Sequence, residues 1–395
     1  MNILLVEPFY TGHHISLYLK NTIDILKEDH SIILLTSQEA YSSKAFLSIK
    51  DVTRDYNFSV TLLNKLHKTN SSNYINLLYL QLKWWFEIRR KFKEINKISR
   101  IDLVYVPSAD FFIYSIALLG SPFKLTPFAL LQLSPNKNII NENSEIYSKL
   151  KRFIFTSLHE RVLNLKNLIT LFVIDELFFA QAKNKTKLNY IPDYGEAFEK
   201  IEKKKARKIL SLNLADYIIL IYGSISRRKG FENLFNAINN IKIKARIKIC
   251  LAGSTDEDFK IFLRDLKKTH NNFNQIVICR DFYHSDEDEA LIFSASDLVW
   301  LGYDKHFLAS SGVFYKAMAY EKLILGSRFG IIGDSIKKSG YGYACDPSNL
   351  DEVSFSLTSI INNEDNDSLL PNTKELKDKH SAYAHQKVLK GILEI

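Results

Sequence analysis

The feature that most constrains this chain is an alternation, run through twice, of short apolar segments with amphipathic stretches. Residues 1–9 read Met-Asn-Ile-Leu-Leu-Val-Glu-Pro-Phe, the continuous apolar run of a parallel strand covered on both faces. After a turn over Tyr10–His14, residues 15–29 place Ile15, Leu19, Ile23 and Leu26 on one helical face. Further strands are predicted at Ser31–Thr36, Ile101–Pro107, Thr126–Leu133 and Leu168–Ile174. The pattern then resumes at Tyr217–Tyr222, Ile247–Ala252, Gln275–Cys279, Leu298–Leu301 and Lys322–Gly326. Strands alternating with helices predict a doubly wound parallel sheet, and two successive series predict two Rossmann-like α/β domains.

A chain of 395 residues has the length for two such domains. Ile191-Pro192-Asp193-Tyr194-Gly195 ends an apolar strand and the charged stretch Glu199–Lys208 reads as a solvated helix start, so a linker is expected near 193–203. The expected domains are 1–195 and 204–375, followed by a C-terminal helix over 376–395 that can return to the first domain. Open sheets of this kind bind ligands beyond the carboxyl ends of their strands, and two of them are expected to face each other across a central cleft.

Composition removes several function classes. With 46% hydrophobic, 12% aromatic and 25% charged residues, the chain is neither disordered nor fibrous. No apolar run approaches the ~18 residues of a membrane span, and the first residues do not read as a secretory leader. Cys250, Cys279 and Cys345 are too few and too dispersed for a disulfide framework or a metal knuckle, so a reducing cytosolic location is expected. The net charge of +9 suits nucleic acid or an anionic membrane. Lys, Ile and Asn are abundant throughout while Gly, Pro and Ala are scarce, so part of that charge reflects coding bias and only a localised patch would identify a partner.

Seven of the 14 glycines fall between 302 and 342, where tight turns and close approach of a ligand to the main chain both call for glycine. Within that region Ala309-Ser310-Ser311-Gly312-Val313 precedes an amphipathic stretch, and Ser310 or Ser311 suits the cap of a helix. The free amides of such a helix start make an anion site, worth about 0.3–1 kcal/mol per charge when exposed. A diphosphate fits there; a plain capped helix without ligand is the alternative. Ser224-Ile225-Ser226-Arg227-Arg228-Lys229-Gly230 follows another strand and puts fixed positive charge at its carboxyl end, as a phosphate contact or as a solvated basic turn. Residues 82–93, Leu-Lys-Trp-Trp-Phe-Glu-Ile-Arg-Arg-Lys-Phe-Lys, combine Trp84 and Trp85 with Arg89 and Arg90 on one helix. That mixture fits a membrane interface, or a helix packed on the first sheet with its basic side in water. No nucleic-acid module accompanies it, so nucleic acid is not an expected partner.

Taken in order, these segments resemble the GT-B glycosyltransferases, especially the large retaining family 4. Phe9-Tyr10-Thr11-Gly12-His13-His14 is similar to the family's glycine loop after the first strand, and Gly223 with Arg228-Lys229-Gly230 to its Lys-Gly helix start. Ala252-Gly253, Ala295-Ser296-Asp297, and Ser311-Gly312 through Ala317-Met318-Ala319 with Leu323–Ser327 follow in register. The resemblance implies an N-terminal domain for the acceptor and a C-terminal domain for a nucleoside-diphosphate sugar, UDP- or GDP-linked, acting as co-substrate without a cofactor. It implies donor contacts from Gly12, Ser224, Arg228, Lys229, Ser310, Ser311, Gly312, Val313 and Lys316, and no essential metal, because basic side chains and amides neutralise the leaving diphosphate.

Three positions depart from the family. Lys316 stands where the second of two glutamates, a ribose contact, belongs, with Leu308 at the place of the first. Ser224 replaces a usual arginine, leaving that charge to Arg227 or Arg228, and Leu131–Pro135 runs through the place of a customary histidine. Candidates for contacting the transferring sugar or taking the acceptor proton are the adjacent pair His13 and His14, with structural turn histidines as the alternative, and Asp110, at a strand end where an aspartate also serves as a plain cap.

The function these features imply is transfer of a sugar to a glycan or lipid-linked acceptor in bacterial surface polysaccharide synthesis, in the cytosol or at the inner face of the membrane. A sugar-nucleotide epimerase of the same fold and a non-catalytic binding subunit are the alternatives.

Overall fold

The computed structural model describes residues 1–9, 14–64, 74–135, 145–241, 246–282, 285–307, 310–362 and 373–393. The chain forms two compact units, Met1–Pro192 with Tyr383–Ile395, and Asp193–Ala382.

In the first unit the strands are β1 (Asn2–Val6), β2 (Ser31–Ser37), β3 (Phe58–Leu63), β4 (Leu103–Val106), β5 (Phe128–Gln132), β6 (Leu168–Val173) and β7 (Leu188–Tyr190). They build one sheet in the order β3-β2-β1-β4-β5-β6-β7, and every pairing is parallel. Ile3, Leu4, Leu5 and Val6 are all fully buried, which is what a strand covered on both faces requires and why its sequence shows no alternation. One face carries Leu4, Val6, Val104, Val106 and Leu130 beneath the helix Tyr74–Ile98, whose Trp84, Trp85, Ile88 and Phe92 complete the core.

The second unit repeats the architecture with β8 (Asp216–Tyr222), β9 (Arg246–Ala252), β10 (Val277–Arg280), β11 (Leu298–Leu301), β12 (Leu323–Ser327) and β13 (Tyr343–Cys345). Its order is β10-β9-β8-β11-β12-β13, again all parallel. Successive residues of β8 point to opposite faces. Ile218 and Leu220 pack with Val299, Ile324 and the helices Asp286–Ala295 and Gly312–Ala319, whereas Ile219 and Ile221 pack with Trp300, Phe231 and Phe235.

The expected central strands are present, and the differences gather at sheet edges. β3 and β13 carry no strand expectation in the sequence reading, and β10 starts at Val277 because a helical turn, Phe273–Ile276, occupies the residues before it. Edge strands are covered on one side only, so their apolar pattern is weak. The helix expected over 15–29 begins instead as a π-helical turn, His14–Leu19, and continues as an α-helix from Lys20 to Leu26, burying Ile15, Leu19, Ile23 and Leu26 as the spacing demands. After the helix Thr373–Lys379, the helix Ala382–Leu393 takes the chain back into the first unit, where His385 donates to the Pro192 carbonyl at 2.8 Å and Gln386 bonds Asn21.

Candidate functional site

In the second unit, β8 ends at Tyr222 and the chain turns through Gly223, whose φ of +93° no side-chain-bearing residue adopts without strain. A Cβ placed there would lie 3.8 Å from Val313 Cγ2 and 3.9 Å from Lys229 Nζ, so this glycine leaves a small space shared by the lysine and the start of the helix Gly312–Ala319. Arg227–Lys229 then form a 3-10 turn closed by Gly230 in the left-handed conformation. The turn is pressed onto the end of β11: a Cβ on Gly230 would come within 2.1 Å of the Gly302 carbonyl. Trp300 Nε1 donates to Lys229 O at 2.8 Å and the Asp304 amide donates to Arg228 O at 3.0 Å, fixing the turn from the neighbouring strand.

The Lys229 side chain runs inward and is only 5% exposed. Its ammonium donates to Tyr222 O at 2.6 Å and to the Tyr303 hydroxyl at 3.1 Å, and among the described residues no carboxylate pairs with it. The Tyr303 hydroxyl lies 3.1 Å from Ser311 Oγ, and its ring stacks on Phe307 at 4.1 Å. Burial pushes this phenol up; the Lys229 ammonium, the Ser311 hydrogen bond and Arg228 outweigh it, and the net direction is down. Arg228 is exposed with its guanidinium over Phe307 at 5.4 Å, Arg227 pairs with Glu232 at 3.9 Å, and Ser224 is exposed in the turn.

Neither serine caps the helix, contrary to expectation. Ser311 holds the N-cap position without a side-chain cap bond because its hydroxyl is turned to Tyr303, and Ser310 Oγ instead donates to Asp193 Oδ2 at 2.9 Å. Among the described residues the amides of Gly312 and Val313 have no hydrogen-bond acceptor, and the Val313 side chain and the Lys229 ammonium border the same space at Gly223. The sequence-predicted donor residues Gly312, Val313 and Lys229 come together here, with Arg228 at the rim.

Lys316 does not join them. Its ammonium bonds Glu289 Oε2 at 2.5 Å, and the same carboxylate oxygen accepts the Tyr222 hydroxyl at 2.9 Å; the two charged side chains are 12% and 8% exposed. The lysine is consumed by an interior ion pair, so the expected donor contact is replaced by a structural one. Glu289 is brought there by the helix Asp286–Ala295, which opens on a Ser285–Asp288 capping box. A separate cavity of about 410 Å³ in this unit, between β9, β10 and the helix Glu257–Thr269, is a poorer anion site because its Lys260 already pairs with Glu257 and Asp281.

In the first unit the hub is Glu7, fully buried at the end of β1. It accepts from Ser108 Oγ at 2.6 Å and the Phe9 amide at 3.0 Å, and His14 Nδ1 stands 3.4 Å away. Burial alone would lower the His14 pKa, but the Glu7 carboxylate, with a smaller push from Asp110, raises it overall. Asp110 accepts the amides of Leu133 at 2.8 Å and Ser134 at 3.0 Å, so both oxygens anchor the segment after β5. That anchoring gives Asp110 a structural role of the kind the sequence reading set beside a base or sugar contact. His13 and Gly12 lie outside the described residues, as does Leu308 in the second unit.

The membrane reading of Trp84 and Trp85 is corrected. Both indoles are buried, at 6% and 4% exposure, because the helix turns this face to the sheet; Trp85 Nε1 donates to the Gly120 carbonyl at 2.8 Å. Arg89 covers the Trp85 ring at 4.9 Å, and Arg90 pairs with Glu87 and Glu94. Among the described residues no helix is long and apolar enough to cross a membrane.

Sequence reasoning missed Tyr303, Trp300 and Glu289. Trp300 and Tyr303 sit in and just after an apolar strand and read as ordinary core. Glu289 closes the acidic run Asp286–Glu289, and only its helical spacing to Ile292 and Phe293 places it on the inner face.

Comparison with known proteins agrees with this architecture. Residues 202–380 match the family Glycosyl transferases group 1. No curated protein sequence matches the chain. Among solved structures, sucrose-phosphate synthase from Thermosynechococcus elongatus superposes with a TM-score of 0.74 at 14% identity, covering 100% of this chain and 98% of the other. HepE from Anabaena, solved with UDP and glucose, gives 0.69 at 14% identity with 100% of both chains covered. WaaG, a glycosyltransferase involved in lipopolysaccharide biosynthesis, gives 0.66 at 13% identity with 99% of both covered. At such identities the likeness establishes the fold, GT-B, with its two Rossmann-like domains.

Proposed function

We propose, from the premise that residues 202–380 belong to the glycosyl transferases group 1 within a GT-B fold, that this glycosyltransferase moves a hexosyl group from a nucleoside-diphosphate sugar to a hydroxyl of a glycan or lipid-linked acceptor. The observation that carries the reading is the buried Lys229 ammonium. Taking an ammonium out of water costs several kcal/mol unless a counter-charge meets it, and here its partners are a carbonyl and a phenol. The opening left by Gly223 and the unmatched amides of Gly312 and Val313 adjoin it. A diphosphate supplies the missing negative charge.

In this mechanism the second unit binds the donor through its diphosphate and stabilises the charge that grows on it as the glycosidic bond to phosphate breaks. Lys229 and the helix amides are fixed before the reaction, so they need little reorganisation as that charge develops. Arg228, exposed at the rim, adds positive charge that can move with the leaving group. No divalent cation is part of this reading, and retention at the anomeric carbon is the outcome implied by the family resemblance. UDP is the first nucleotide to test, because HepE was solved with it. A glycan of the cell surface, lipid-linked at the inner face of the membrane, is the proposed acceptor. The net charge of +9 favours approach to anionic headgroups, and WaaG offers a parallel of that class, although the buried indoles give this surface no anchor.

A thermal-shift panel of UDP, GDP and their sugars tests the proposal. A nucleotide at 100 times its Kd stabilises by about 2.7 kcal/mol, a rise of roughly 5–11 °C for a unit of this size. Lys229→Met should abolish the shift and reduce turnover about 100- to 1000-fold, the scale for losing one preorganised donor. No shift with any nucleoside diphosphate, or a shift that survives Lys229→Met, would sink the reading.

A further inference from the structure

We propose that Tyr303 is a positioning residue for the diphosphate, its hydroxyl forming a directed relay from Lys229 to Ser311 that turns the Ser311 proton toward the bound anion. The inference rests on the anion-site reading above and follows from counting donors and acceptors. An ammonium has no acceptor, so in the 3.1 Å contact Lys229 Nζ donates and the phenol oxygen accepts. Tyr303 is 3% exposed and, among the described residues, its hydroxyl meets only Lys229 and Ser311. The single phenol proton therefore goes to Ser311 Oγ. Ser311 now accepts from Tyr303 and has its own proton to give, at the head of the helix Gly312–Ala319. Its hydroxyl is diverted from the capping bond a serine at that position ordinarily makes. Chains of this kind polarise one another, and the Lys229 ammonium at one end sets the direction of this one.

Tyr303 thus does two things for a ligand it does not touch. It holds the lysine charge on the Gly223 side, and it converts Ser311 from a helix cap into a ligand donor. Removing its oxygen would free Ser311 to rotate back onto the helix amides, withdrawing one donor and blocking another.

Isothermal titration of UDP, UMP, GDP and GMP into the full-length protein and the variants Tyr303→Phe, Ser311→Ala and the double variant tests this. Whichever base binds, the ratio of diphosphate to monophosphate affinity should fall about tenfold in each single variant, and the double variant should fall no further, because both act through one relay. An unchanged ratio in a folded Tyr303→Phe, or losses that multiply in the double variant, would overturn it. If Tyr303→Phe does not fold, Ser311→Ala decides alone: it should keep the wild-type melting temperature while losing the preference, and an intact preference refutes the relay. Lys229→Met separates the two levels of the argument. A diphosphate preference that persists there removes the anion site itself, whereas one lost there and kept in Tyr303→Phe removes only the relay.

Discussion

The interior pair between Lys316 and Glu289 invites a quantitative test, because it withdraws a lysine of the helix Gly312–Ala319 into the core. At 2.5 Å the gross attraction of two unit charges is ~7 kcal/mol for an effective dielectric of about 20. Desolvation of both groups offsets most of that, so the pair as a whole adds little over a well-packed apolar equivalent. Removing one partner is a different matter. Glu289→Ala strands the Lys316 ammonium at 12% exposure and deprives the Tyr222 hydroxyl of its acceptor. Together these should cost about 3–5 kcal/mol. At roughly 2–4 °C per kcal/mol for a domain of 150–250 residues, the melting temperature should fall by about 6–20 °C. Lys316→Met should do comparable damage by leaving the carboxylate alone. Lys316→Glu should be the worst single change, since it sets two carboxylates against each other. The double variant Glu289→Met with Lys316→Met should recover most of the loss. Calorimetric unfolding of the wild type, Glu289→Met, Lys316→Met and the double variant gives the coupling energy directly. Single-variant losses that add in the double variant to within about 0.5 kcal/mol would show that the side chains act independently and would refute the pair.

Three further outcomes follow from the same geometry. Gly223→Ala should cost about 1–2 kcal/mol for its positive φ and, by placing a methyl 3.9 Å from Lys229 Nζ, weaken nucleoside diphosphate binding at least tenfold; unchanged affinity in titration would take Gly223 out of the site. His385 is 2% exposed and burial holds its pKa down at about 4 against an ordinary 6.5, so the unfolded chain takes up a proton that the folded one refuses. Its contribution is therefore fully present above pH 6.5 and is lost as pH falls toward 4, by about 3 kcal/mol; His385→Gln should flatten urea-measured stability across that window, and an unaltered pH slope would contradict this. Finally, all three tryptophans are buried, so anionic vesicles should leave the intrinsic emission maximum unmoved, and a blue shift on adding them would show that an indole reaches lipid.

The central strands of both units were legible in the sequence because burial on both faces forces a continuous apolar run, as in Ile3–Val6 and Ile218–Tyr222, whatever the rest of the chain does. The glycine turn at 223 and the basic turn 227–230 were legible for a similar reason, since positive φ and clustered charge leave local signatures. The edge strands β3 and β13 were not, because an edge needs only half a pattern. The site's partners were beyond local reading too. Lys229 meets Tyr303 across 74 positions and Lys316 meets Glu289 across 27, and nothing in either neighbourhood says which basic residue meets a phenol and which a carboxylate. Trp84 and Trp85 make the same point: their composition permits lipid or core, and the helix phase that packs them against the sheet decides for core. The sequence determined that two parallel sheets would form and that charge and glycine would gather at strand ends. Only the tertiary structure determined which partner each of those charges meets, because pairing depends on the direction of side chains brought together from distant strands.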